Sequence, residues 1–218
     1  MKKPIISVKN LCLSFDDTLI LNNLEYSFYS SNIYTILGIN GSGKTSFLKC
    51  IVGMLKYNSG NIKLYQGNTI SFVPDSSYLY EYLTGLEYLY FVGKLNDMNN
   101  NEVIERSESL LKELYLHSSR NKLIKNYSNG MKQKLSLASS MLTQPNIICI
   151  DEPLTGTDYA NNKVIKNFLK NYSKQNLVIL TTHFLDLTYE LSTEVLILKD
   201  KKIAEKLVPD SISFEQFK

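Results

Sequence analysis

The stretch GINGSGKT, residues 38–45, constrains the fold of this chain more than any other segment. It satisfies G-x-x-x-x-G-K-[ST] at every fixed position, and it lies between an apolar strand, IYTIL, and a helix-forming run, SFLKCIVG. Gly41 and Gly43 admit backbone conformations that a Cβ resists, so successive N–H groups can turn toward phosphate oxygens. The helix that follows adds the positive end of its dipole. Such a loop would cradle phosphates with Asn40, Gly41, Ser42, Gly43 and Ser46. Lys44 would reach the β- and γ-phosphates, and the Thr45 hydroxyl would ligate Mg2+. The expectation is a nucleoside triphosphate site on a strand–loop–helix unit.

A second constellation supports this reading. In IICIDEP, residues 147–153, four apolar strand residues deliver Asp151 and Glu152 to the carboxyl end of a sheet, where ligands of open α/β folds sit. Asp151 fits a carboxylate on the Mg2+ side, acting through water because Mg2+ dehydrates reluctantly. Successive strand residues alternate faces, so Glu152 is expected to point differently and to polarise a water for in-line attack. A solvated acidic turn is the ordinary reading of such a pair in isolation; the neighbouring phosphate loop favours chemistry. His183 ends the apolar strand LVILTT and is expected on the same edge, donating to the γ-phosphate. His117, at the end of a helix, reads as structural.

The rest of the chain alternates strands and helices. IISVKNLCLSF, LNNLEYSFY, NIYTIL, GNIKLY and ISFVP read as strands, and a helix after the phosphate loop closes at Gly53. From Thr84 the pattern turns helical, with Thr84 and Glu87 at capping-box spacing. Val103, Ile104, Ser107, Leu110, Leu111 and Leu114 form one mostly apolar helical stripe. A helix after Ser128, the strand NIICI, a helix near 159–172, the strand LVILT, a short helix and the strand EVLILK complete the series. Short, fully apolar strands between helices predict a parallel sheet covered on both faces, interrupted by a helical insertion at roughly 76–135. The last dozen residues are too few for another domain, so residues 1–218 are expected to form a single domain.

Composition narrows the function. With 24 Lys+Arg against 21 Asp+Glu, the formal charge of +3 is too mild for a nucleic-acid binder. No apolar run approaches the roughly 18 residues of a membrane-spanning helix, and MKKPIISVKN lacks the apolar core of a signal peptide. Cys12, Cys50 and Cys149 are odd in number and widely spaced, as expected of reduced, buried thiols in a cytoplasmic protein.

Taken in order, GINGSGKT, YSNGMKQKL, IICIDEP, PLTGTD and TTH resemble the ATP-binding-cassette ATPases, the nucleotide-binding subunits of ABC transporters, over essentially the whole chain. The resemblance implies an α/β phosphate-loop core with a mainly parallel sheet, an N-terminal antiparallel β portion and a helical lobe. It implies ATP and Mg2+ as ligands. It also implies a second cassette, identical or diverged, packed head to tail so that each ATP lies between one phosphate loop and the other chain's signature helix. On that reading Ser128 caps the signature helix and contacts a partner's γ-phosphate, and Gly130 permits close backbone approach. Asp158 links the two sites, Phe15 stacks on adenine, and Thr181 to His183 match the switch histidine and its approach.

Departures from the family pattern carry their own expectations. Asn129 stands where a second glycine is common; asparagine visits left-handed backbone readily, for an expected penalty of about 1 kcal/mol. Asp75 replaces the glutamine expected at the end of SFVPD. It can still ligate Mg2+, directly or through water, but adds negative charge near phosphates. Thr157 replaces a more usual apolar residue. The S-x-G-M-K-Q form resembles subfamilies that export drugs, antibiotics or peptides. In such transporters the segment after the glutamine position receives a helix of the membrane subunit, which makes Tyr78, Tyr80 and Tyr82 candidates for that groove. Three functions are open: the ATPase subunit of an exporter, a soluble ATP-gated clamp, and a regulatory cassette whose dimerisation is the output. The first implies a membrane-spanning permease on a separate chain, no nucleic-acid partner, and a cytoplasmic location at the membrane surface.

Overall fold

The computed structural model describes residues 3–65, 67–75, 78–154 and 158–209. The chain divides into two compact units, one of Met1–Phe72, Asn146–Glu152 and Tyr172–Lys218, the other of Val73–Pro145 and Pro153–Asn171. In chain order the elements are β1 (Ile6–Phe15), β2 (Thr18–Phe28), β3 (Asn32–Leu37), α1 (Lys44–Ile51), β4 (Ser59–Leu64), β5 (Ile70–Val73), α2 (Gly85–Leu95), α3 (Asn100–Glu113), α4 (Asn129–Met141), β6 (Ile147–Ile150), α5 (Tyr159–Tyr172), β7 (Leu177–Thr182), α6 (Leu185–Leu191), β8 (Glu194–Lys199) and β9 (Lys202–Leu207).

In the first unit, β2-β1-β4 form an antiparallel sheet and β5-β6-β7-β3-β8-β9 a larger one. Strands β6, β7, β3 and β8 run parallel, as short buried apolar strands should. Helix α1 packs against β7, and α6 against β3. The core joins Ile6, Leu11 and Phe28 of the small sheet to Phe47 and Leu48 of α1 and to Cys149, Ile179 and Leu196 of the large one. Each fully buried side chain of this size contributes roughly 1.5–3 kcal/mol by leaving water. Cys12, Cys50 and Cys149 are free thiols, and burial pushes Cys50 up to about 11. Strand β9, antiparallel at the sheet edge, was not expected from KIAEKL, whose residues are exposed or only half-buried.

Register explains where the site lies. Leu37 pairs with Thr182 and Ile150 with Leu180. The residues that follow β3, β6 and β7 therefore emerge together at one edge of the sheet: the phosphate loop, the acidic pair and His183.

In the second unit, α2, α3 and α4 pack on one another. Thr84 caps α2 in a complete capping box with Glu87, as its spacing predicts. The α3 stripe is narrower than expected. Val103, Ser107, Leu110, Leu111 and Leu114 are buried, but Ile104 is 50% exposed. His117 pairs with Glu108 at 2.9 Å, beside Arg120 at 3.3 Å from the same carboxylate, a structural cluster.

Candidate functional site

Gly41 and Gly43 take φ of 81° and 102°, the left-handed region that a Cβ resists. Nothing would touch a Cβ at Gly41, so backbone conformation alone requires glycine there. Gly43 is the N-cap of α1, with no side-chain cap and no acidic residue in the first turn. That leaves helix N–H groups and positive potential for an anion. Asn40 and Gly41 are exposed at the loop's tip, Ser46 is half-buried in the first turn of α1, and the Ser42 hydroxyl is buried without a hydrogen-bond partner among the described residues. An orphaned donor inside such a cradle suits a phosphate oxygen.

Lys44, 6% exposed, donates to the carbonyls of Gly38 and Ile39 at 2.9 and 3.1 Å, and its Nζ stands 3.7 Å from Glu152 Oε1. The Thr45 hydroxyl lies 2.8 and 3.0 Å from the two oxygens of Asp151. Thr181 donates to Asp151 Oδ1 at 2.6 Å and accepts the backbone N–H of Glu152 at 3.1 Å. The Glu152 carboxylate meets His183 Nδ1 at 3.0 Å. Lys44, Thr45, Asp151, Glu152 and His183 are thus brought together in one unit, as the motifs predict.

Glu152 does point away from Asp151, but not through strand alternation. Strand β6 ends at Ile150, and Glu152 has a φ of 47°. A left-handed turn swings the side chain toward Lys44 and His183, at a backbone cost of about 1–2 kcal/mol for a non-glycine residue.

A pocket of about 420 Å³ opens beside the loop, lined by residues 18–20, 38–42 and 197–201. The contribution of 197–201 was not read from sequence. Asp200 and Lys201 turn the β8–β9 hairpin with φ of 50° and 67°, a pair that glycine or asparagine would have signalled. Phe15 ends β1 at 47% exposure, so core packing does not explain it.

The remaining candidates belong to the second unit. Ser128 is the N-cap of α4, accepting the Met131 N–H at 3.3 Å. Asn129 is the first residue of that helix and does not have positive φ, so the expected left-handed penalty does not arise. A Cβ on Gly130 would come within 2.5 Å of Asn161 Nδ2. Asn161 is in turn held by Asp158, through N–H to Oδ1 at 2.9 Å and Nδ2 to Oδ2 at 2.6 Å. These bonds keep the Asp158 carboxyl below its usual range. Gly130 therefore has a packing reason within its own chain. Asp75 is exposed just beyond β5. Tyr78, Tyr80 and Tyr82 are all exposed; Tyr80 packs edge-on to Phe91, and Lys125 lies over Tyr82. Thr157 lies outside the described residues.

The family model described as ABC transporter matches residues 21–155, from β2 through the acidic pair. The chain belongs to the ABC transporter family. An uncharacterized ABC transporter ATP-binding protein of Methanocaldococcus jannaschii is 30% identical over 92% of this chain and 76% of its own length. The SkfA peptide export ATP-binding protein SkfE of Bacillus subtilis is 29% identical over 93% of this chain and 89% of its own. A solved ATP-binding subunit of an ABC transporter superposes with a TM-score of 0.85 at 23% identity, covering 97% of both chains, which establishes the shared fold. As an ABC transporter ATP-binding protein, the chain binds ATP and hydrolyses it, and it works with membrane components. No helix among the described residues is long and apolar enough to cross a membrane.

Proposed function

We propose that this chain is the motor of a membrane exporter, pairing with a second cassette around two molecules of Mg·ATP and driving a membrane-spanning permease on a separate chain. The simplest second cassette is another copy of this chain. The observation that carries the reading is the convergence of Lys44, Glu152 and His183 beside the Thr45–Asp151 pair. Lys44 holds the β- and γ-phosphates, with the loop N–H groups of Asn40, Gly41, Ser42 and Gly43 and the Ser46 hydroxyl around them. Glu152 takes the proton of the attacking water, and His183 orients Glu152. Phe15 stacks on the base. Ser128, Gly130 and Asp158 serve the partner's nucleotide.

The donors present suit Mg2+. Thr45 and Asp151 offer two hard-oxygen side chains side by side. A metal that keeps waters and borrows phosphate oxygens fits such a sparse set. Thr45 and Asp151 would hold it, with Asp75 as a further ligand, and it would offset the charge of the phosphates.

The whole chain would act as one cassette, with residues 76–135 as its helical lobe, peripheral on the cytoplasmic face of the membrane. The exposed Tyr78, Tyr80 and Tyr82 form the permease groove. Export is favoured by the SxGMKQ stretch and by a relative whose name states peptide export. The test is steady-state ATP hydrolysis by purified chain. Lys44→Ala should abolish turnover, and turnover that survives it would sink the reading.

A further inference from the structure

We infer that Thr181 is a positioning residue whose single hydroxyl sets both acidic side chains. The inference rests on the proposed roles of Asp151 and Glu152. Thr181 follows the Ile150–Leu180 pair on β7, so the register places it opposite Asp151. It is fully buried. A hydroxyl carries one proton and two lone pairs. Here the proton goes to Asp151 Oδ1 at 2.6 Å, a charge-assisted bond of the short kind expected with a carboxylate acceptor. A lone pair accepts the N–H of Glu152 at 3.1 Å. That N–H belongs to the residue held at a φ of 47°. One oxygen therefore fixes the metal-side carboxylate and also anchors the strained backbone that aims the proposed base.

The next residue is bonded differently. Thr182 is equally buried at 1%, but its hydroxyl accepts from Phe184 N–H at 3.0 Å and lies outside these contacts. Simple strand preference for threonine would make the two positions equivalent. The hydrogen bonds make them different.

Thr181→Val keeps the shape and removes the hydroxyl. Misplacing a reacting group by about 1 Å is worth about 10²-fold in rate, so kcat should fall by between about 10- and 100-fold, with KM for ATP moving less than about threefold. The gain in affinity for a fluorescent ATP analogue on adding Mg2+, measured in the full chain without turnover, should shrink by at least about threefold. Thr181→Ser should restore both. Nucleotide binding in EDTA reports folding; if the valine variant fails it, Thr181→Ala and Thr181→Ser carry the comparison. A hydroxyl-free variant with wild-type kcat and Mg2+ response, or a serine variant as impaired as valine, overturns the inference. Glu152→Gln in the same assay separates the two levels: if it turns over normally, the role assigned to Glu152 fails, whereas its loss beside a normal Thr181→Val discards only Thr181.

Discussion

His183 Nδ1 lies 3.0 Å from Glu152 Oε1, and Lys44 Nζ stands 3.7 Å from the same oxygen. With Glu152 ionised, Nδ1 is the donor of this bond. His183 in this arrangement holds the carboxylate. Groups that act as a unit give non-additive losses. Glu152→Gln should lower kcat by about 10²–10⁴-fold while ATP affinity stays within a few-fold. His183→Ala should lower kcat less, and the double variant should be no worse than Glu152→Gln. Multiplicative losses in steady-state assays would show that the two act separately.

Gly130 faces Asn161 so closely that a Cβ would lie 2.5 Å from Nδ2. Gly130→Ala should therefore destabilise the isolated chain by about 1–3 kcal/mol, as overpacking does. Asn161→Ala should relieve most of that loss in the double variant. Chemical denaturation of the four proteins in a cycle decides it. If Gly130→Ala is as stable as wild type, glycine is needed there only for a partner.

Much of this was legible in sequence because it is local. The phosphate loop, the Ser128 cap and the Thr84–Glu87 capping box each depend on a few adjacent residues and their backbone. What failed depended on tertiary context. The direction of Glu152 comes from a left-handed turn that no glycine announces, and the bridging by Thr181 joins residues 30 positions apart. Strand β9 escaped because an exposed edge strand needs no apolar run. Asn129 was misread because the common glycine at its position suggested a backbone requirement that the helix does not impose.

That last point has a test. Since Asn129 is in helical conformation, Asn129→Gly relieves no strain. It should be neutral or destabilising by up to about 1 kcal/mol, the helix penalty of glycine. A rise in thermal stability would show that asparagine is strained after all.

The capping box links stability to pH. The Thr84 N–H donates to Glu87 at 2.8 Å and holds its carboxyl below the usual 4.5. A depressed carboxyl stabilises the fold above its unfolded value and loses that contribution as pH falls through the folded value. Glu87→Gln should therefore lower stability at neutral pH, converge on the wild type as pH falls through the folded value, and so flatten the acid side of the profile. Thr84→Ala should lower stability by about 1 kcal/mol at neutral pH. Thermal melts from about pH 3 to 7 would measure both.

The central claim is that two cassettes complete each other's sites, and light scattering of the Glu152→Gln chain with and without Mg·ATP tests it most directly. The proposed function predicts a monomer that doubles in mass only with nucleotide, and no doubling when Ser128→Arg is added. ATP bound at one per chain with the mass unchanged would contradict it.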